Sequence, residues 1–136
     1  MNITVDANVL FSALLKDSGT RHLWFNPEFT LFAPAYLRIE FTKYEGELRR
    51  KFTGTDKEFI EWAAKFFAQI RFIQDEELAP FLPAAASLIH DPKDWLYLAC
   101  ALKENTIIWS QDKGFKEQKR ISIKTTNELM EEFGGL

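Results

Sequence analysis

The 136-residue sequence predicts an α/β fold, a three-layer α/β/α sandwich around a central parallel sheet. Short apolar runs (ITV, TLFAP, IRFI, TIIWS) alternate with longer stretches of helical periodicity. A hydrophobic content of 46%, with 13 phenylalanines and four tryptophans, supplies the core for one domain spanning residues 1–136. No repeat, low-complexity tract or long Gly/Ser linker divides the chain.

The elements follow in order. ITV at 3–5 is a strand ended by Asp6, and VLFSALL continues as a helix up to a turn signal, DSG, at 17–19. TLFAP is a strand stopped by Pro34. In YLRIEFTKYEGELRRKF, Leu37, Phe41, Tyr44 and Leu48 recur at helical spacing. Thr55 and Glu58 match a capping box that opens DKEFIEWAAKFFAQI as a helix. IRFI at 70–73 is a strand. ELAPFLPAAASLI, interrupted by Pro80 and Pro83, is helical from Pro83 onward because proline suits a first helical turn. Asp91 and Pro92 have the form of an N-cap and first helical residue, which puts Asp94 at the third helical position. TIIWS at 106–110 is a strand, ISI at 121–123 is a candidate for another, and TNELMEEF closes the chain as a helix.

Composition narrows the function. The longest apolar run, Trp95 to Leu102, is far shorter than the roughly 20 residues needed to cross a bilayer. The N-terminal MNITVDANVLFSALL lacks a basic leader, so a cytoplasmic location and no membrane association are expected. The single cysteine, Cys100, lies in an apolar run and is assigned to the core. A net charge of -3 argues against nucleic-acid binding by bulk electrostatics and requires local patches or metal ions for any such role.

The acids carry the chemical signal. Ligands of parallel α/β sheets bind outside the carboxyl ends of the strands, where Asp6 follows ITV and Asp112 follows TIIWS, itself ended by Ser110. Each is also readable as a loop acid or helix cap. Glu40 stands about 60° from the apolar stripe of its helix and borders the buried face. The cap accounts fully for Asp91 and only weakly for Asp94, which lies on the side of Leu98, Ala101 and Leu102. Carboxylates sharing a pocket repel, a pair about 4 Å apart by about 4 kcal/mol at an effective dielectric near 20. Such a cluster needs protons or divalent cations, and a set of hard oxygens without a cysteine pair favours Mg²⁺ or Mn²⁺ over zinc.

VDANVL at 5–10, YLRIEF at 36–41 and DPKDWLYLACALKENTIIWSQDKGF at 91–115 resemble, in order and spacing, the motifs of the PIN domain family of metal-dependent ribonucleases, which includes toxin subunits of many toxin and antitoxin pairs. The resemblance implies hydrolysis of single-stranded RNA at a Mg²⁺ or Mn²⁺ centre held by Asp6, Glu40, Asp94 and Asp112, with Ser110 supporting the fourth acid or a bound water. It also implies a homodimer and a small antitoxin partner that occupies the active-site groove. Asp91 lies one helical turn too early to match the family position, and Asn8 is assigned to stabilising the turn after Asp6. Lys113 and Lys116, directly after Asp112, are phosphate-contact candidates, whereas Arg49 to Lys51 read as a solvated face. Trp24, Trp62, Trp95 and Trp109 are assigned to core or dimer contacts.

Other readings are a housekeeping RNA-processing nuclease, an inactive PIN-like module that binds RNA or protein, and an aspartyl-phosphate phosphotransferase. DAN at 6–8 lacks the second aspartate which that last chemistry uses.

Overall fold

The computed structural model describes residues 1–15 and 18–134. The expected turn residue Asp17 lies outside the described residues.

The strands are β1 (Asn2–Val5), β2 (Thr30–Pro34), β3 (Ile70–Ile73), β4 (Ile107–Trp109) and β5 (Ile123–Lys124). They form one parallel sheet in the order β3-β2-β1-β4-β5. Ile3, Thr4 and Val5 are buried in succession. Successive strand side chains point to opposite faces, so three buried neighbours mean that both faces of β1 are covered.

One covering layer is α7 (Trp95–Glu104), which packs on β1, β2 and β4, with α5 (Asp75–Leu78) and α6 (Leu82–Leu88) against it. Tyr97 to Ala101 are all buried, as expected of a helix enclosed on every side. Asn105, at φ 55° in the left-handed region, ends it. The other layer is built from α1 (Ala7–Leu14), α2 (Ser18–Trp24), α3 (Tyr36–Lys51), α4 (Asp56–Ala68) and α8 (Thr126–Phe133). In it α1 packs on α2, α3 and α4, and α2 on α8. Trp24 and Trp109 are buried 5.8 Å apart in the core, while Trp62 and Trp95 pack at its edge. No helix among the described residues is long and apolar enough to cross a membrane.

Capping boxes open α4 and α8. Thr55 accepts from the Glu58 N–H at 3.1 Å and Thr125 from that of Glu128 at 3.2 Å, with each glutamate reaching back to the cap N–H.

Three sequence expectations are corrected. Ser18 and Gly19 stand inside α2 rather than in a turn: Thr20, Leu23 and Trp24 bury one helical face, which outweighs the roughly 1 kcal/mol that glycine costs a helix. The last strand begins at Ile123, because the Gln118 amide binds both the N–H and the C=O of Ile121 and closes residues 118–121 as a loop. Tyr44, counted with the buried stripe of α3, is 37% exposed, while Leu37 and Leu48 are buried and Phe41 is partly so.

Candidate active site

The strand order reverses direction between β1 and β4, the place where open parallel sheets form a crevice at their carboxyl ends. Val5 is in register with Trp109, so the next residues of the two strands, Asp6 and Ser110, are neighbours at that crevice.

Asp6 leaves β1 in extended conformation and opens α1, with Oδ1 accepting from the Ala7 N–H at 2.8 Å. Its Oδ2 accepts from the Ser110 hydroxyl at 2.7 Å. The Ser110 oxygen in turn accepts from the Asp112 N–H at 2.9 Å, and Asp112 Oδ1 caps the short 3-10 turn at Lys113–Glu117 by accepting from Gly114 N–H at 2.8 Å. Asn8 bridges to the same loop, receiving the Gln111 N–H at 3.4 Å and donating to Ser110 at 3.5 Å; its hydrogen bonds are structural ones. Asp6 and Asp112 are thus helix caps and pocket acids at once, because a capping carboxylate sits at the end of the element it caps.

The other two acids arrive from α3 and from the start of α7. Asp91 accepts from the Lys93 N–H at 3.0 Å and caps a single 3-10 turn, Pro92–Asp94; the α-helix proper begins at Trp95. Asp94 is therefore the residue that precedes α7 rather than its third member, and its side chain makes no capping bond. The turn is tight because Pro92 opens it and the Trp95 indole donates back to the Ile89 carbonyl at 2.8 Å. Glu40 receives a short hydrogen bond from the hydroxyl of the buried Tyr97.

Asp6, Glu40, Asp94 and Asp112 all line one open pocket of about 440 Å³, together with Asp91, Lys93, Tyr97, Tyr44 and Phe11. Burial pushes Asp6 up to about 6; the Ser110 and Ala7 hydrogen bonds oppose this, and the charges of Glu40 and Asp112 add to it. Asp94 is pushed up to about 7 by desolvation first, then by Asp112, Asp6, Asp91 and Glu40. Glu40 is raised by desolvation, against the Tyr97 hydrogen bond and the charges of Lys43 and Lys93. The same carboxylates recur as perturbing charges, so the pocket is electrostatically a unit.

Lys113 and Lys116, by contrast, do not line the pocket; Lys116 faces Glu128 at 4.0 Å. The lysine at the pocket is Lys93, which no sequence pattern marked. Tyr97 was also missed, although its position three residues after Asp94 places it one turn away on the same side. A cavity of about 600 Å³ beside Arg21 and Trp62 contains none of the acids, and its guanidinium is engaged by the Ala13 and Leu14 carbonyls at the end of α1.

The donors fit a hard divalent cation: carboxylate oxygens, with neither histidine nor cysteine lining the pocket. An oxygen that accepts one hydrogen bond keeps a second lone pair, so the contacts of Asp6 and Glu40 do not exhaust them. As the side chains are arranged, no group of three or more His, Cys, Asp or Glu among the described residues stands ready to hold an ion. Ligation of one ion by several acids requires side-chain rotation.

A match to the PIN domain spans residues 4–133, and the chain belongs to that family. PIN domains are generally nucleases, and generally depend on divalent metal. The chain is also similar to a solved chain in the crystal structure of VapBC2 from Rickettsia felis bound to a DNA fragment from their promoter. The two share 12% identity over 92% of this chain and 98% of that one, with a TM-score of 0.71, a likeness of fold. No curated protein matches the sequence.

Proposed function

We propose that this protein is an endoribonuclease dependent on Mg²⁺ or Mn²⁺ that hydrolyses phosphodiester bonds of single-stranded RNA, and that it acts as the toxin of a toxin and antitoxin pair. The observation that carries the reading is the convergence of Asp6, Glu40, Asp94 and Asp112, from four separate elements, on one pocket at the switch point of the sheet.

Asp6, Glu40, Asp94 and Asp112 would hold the metal. Once bound, the ion lowers the pKa of a water and stabilises charge developing on phosphate oxygens. Ser110 orients Asp6 and the Asp112 backbone, Tyr97 holds Glu40 toward the pocket, and Lys93 brings a positive charge to its rim. The toxin role draws on the fold shared with the chain of VapBC2 from Rickettsia felis, which was solved bound to a DNA fragment from their promoter. A small antitoxin, a homodimer and a cytoplasmic site of action belong to the same reading. A single domain over residues 1–136 does too.

The test is cleavage of a labelled single-stranded RNA by the purified chain with Mg²⁺, Mn²⁺ or EDTA. Activity only with metal, lost in both Asp6→Asn and Asp94→Asn, supports the reading; metal-independent activity, or full activity in both variants, refutes it. That no three His, Cys, Asp or Glu among the described residues stand ready to hold an ion favours one second reading, an inactive PIN-like module that binds RNA or protein. Under it, Mn²⁺ neither binds nor raises the melting temperature.

A further inference from the structure

Tyr44 occupies a position that folding alone does not account for. Its spacing from Leu37, Phe41 and Leu48 assigns it to the buried stripe of α3, yet the residue is 37% exposed and lines the acid pocket. The ring is held: Phe11 of α1 meets it at 5.7 Å between centroids with planes inclined at 65°, an edge contact. The Lys43 ammonium, on its flexible exposed stem, lies over the ring 5.4 Å from its centroid, where a stacking base would displace it toward the phosphate, and Lys43 also acts electrostatically on Glu40, one turn earlier on α3. An oriented, partly exposed aromatic, a cation and a set of acids therefore share one opening. Its volume of about 440 Å³ falls within the roughly 300–1,000 Å³ of pockets that take small ligands.

We propose that Tyr44, braced by Phe11, is a nucleobase subsite: an unpaired base of a single-stranded nucleic acid stacks on its ring while the adjoining phosphate faces the acids. This rests on the nuclease reading above and deepens it. Stacking on an aromatic ring needs a free base face, which a single strand offers and the interior of a duplex does not. Every base has such a face, so the subsite selects for strandedness rather than sequence, and for RNA and DNA alike. Lys43 adds attraction for the phosphate without reading the base.

The experiment compares adenosine 5′-monophosphate with ribose 5-phosphate, neither of which contains a phosphodiester to be hydrolysed. Both are titrated calorimetrically into the Mn²⁺-loaded protein. Wild type is expected to bind the nucleotide about 5- to 150-fold more tightly than the sugar phosphate, the range of one base stacked on one aromatic side chain. Tyr44→Ala and Tyr44→Leu should erase that preference, Tyr44→Phe should keep it, and Mn²⁺ affinity should be equal in all four proteins. Leucine keeps apolar bulk without a ring, so a preference that survives in Tyr44→Leu overturns the subsite. So does a wild type that binds Mn²⁺ and ribose 5-phosphate but shows no preference for the base, and the nuclease reading then stands. A wild type that binds neither Mn²⁺ nor ribose 5-phosphate overturns both.

Discussion

Replacing Asp6 with asparagine removes one charge from the most buried carboxylate of the pocket and leaves its capping geometry available, since asparagine caps helices as well as aspartate does. Burial pushes Asp6 up to about 6 in the folded protein, against 3.8 in the unfolded chain, so between these pH values the native state holds a proton that the unfolded chain has released. Stability is therefore greatest below about pH 4 and falls as pH rises to about 6, beyond which the cost is constant. The gap corresponds to roughly 3 kcal/mol. Asparagine escapes this cost, but with its one oxygen kept on the Ala7 N–H it turns an NH2 donor toward Ser110, whose hydroxyl loses its acceptor, a loss of about 1 kcal/mol. The net expectation is a gain of about 2 kcal/mol for the metal-free variant at pH 7.5, or roughly 5–10 °C in melting temperature for a chain of this size. At pH 4 the gain should vanish. Thermal melts in EDTA at both pH values test this, and a second pair in Mn²⁺ should stabilise wild type more than Asp6→Asn. A variant less stable than wild type by the same margin at both pH values would refute the reasoning, because the buried charge would then carry no cost.

The remaining predictions concern the same loops and the core. Asp91→Asn should retain the 3-10 cap and most RNA cleavage, whereas Asp94→Asn should lose activity without lowering the melting temperature in EDTA, since it removes a charge that desolvation and neighbouring carboxylates disfavour; cleavage assays with parallel melts distinguish them, and the reverse pattern would show that the roles are exchanged. Ser110→Ala removes the donor to Asp6 and the acceptor for the Asp112 N–H, so it should cost about 1–3 kcal/mol by chemical denaturation, and cleavage should fall with it. Burial pushes the Cys100 thiol up to about 12, so an aromatic disulfide reagent at pH 8 should label it only after denaturant is added. Rapid labelling of the native protein would contradict the enclosed α7.

Much of this was legible in the chain. The alternation of apolar strands with periodic helices foretold the parallel sheet, and the Thr55 capping box foretold the start of α4 almost to the residue. The acids at 6, 40, 94 and 112 stood out through the order and spacing of the motifs, and all four line one pocket, although no three of them stand ready to hold an ion. What escaped was whatever depends on contacts between distant segments. A glycine beside a serine looks like a turn until Thr20, Leu23 and Trp24 are given something to pack against. Gln118 gives no sign that it will close the loop before β5.

By itself the sequence determined the layers and the helix caps and offered four candidate acids, because hydrophobic period and capping chemistry act over a few residues. Only the tertiary structure decided how those acids behave. The pairing of Val5 with Trp109 sets Asp6 against Ser110, and the Tyr97 hydroxyl of α7 reaches Glu40 of α3 across 57 residues. It also turned Tyr44 from the core to the pocket and brought in Lys93 where Lys113 and Lys116 were expected. Desolvation and repulsion among carboxylates depend on distances through space, and a linear spacing holds no record of them.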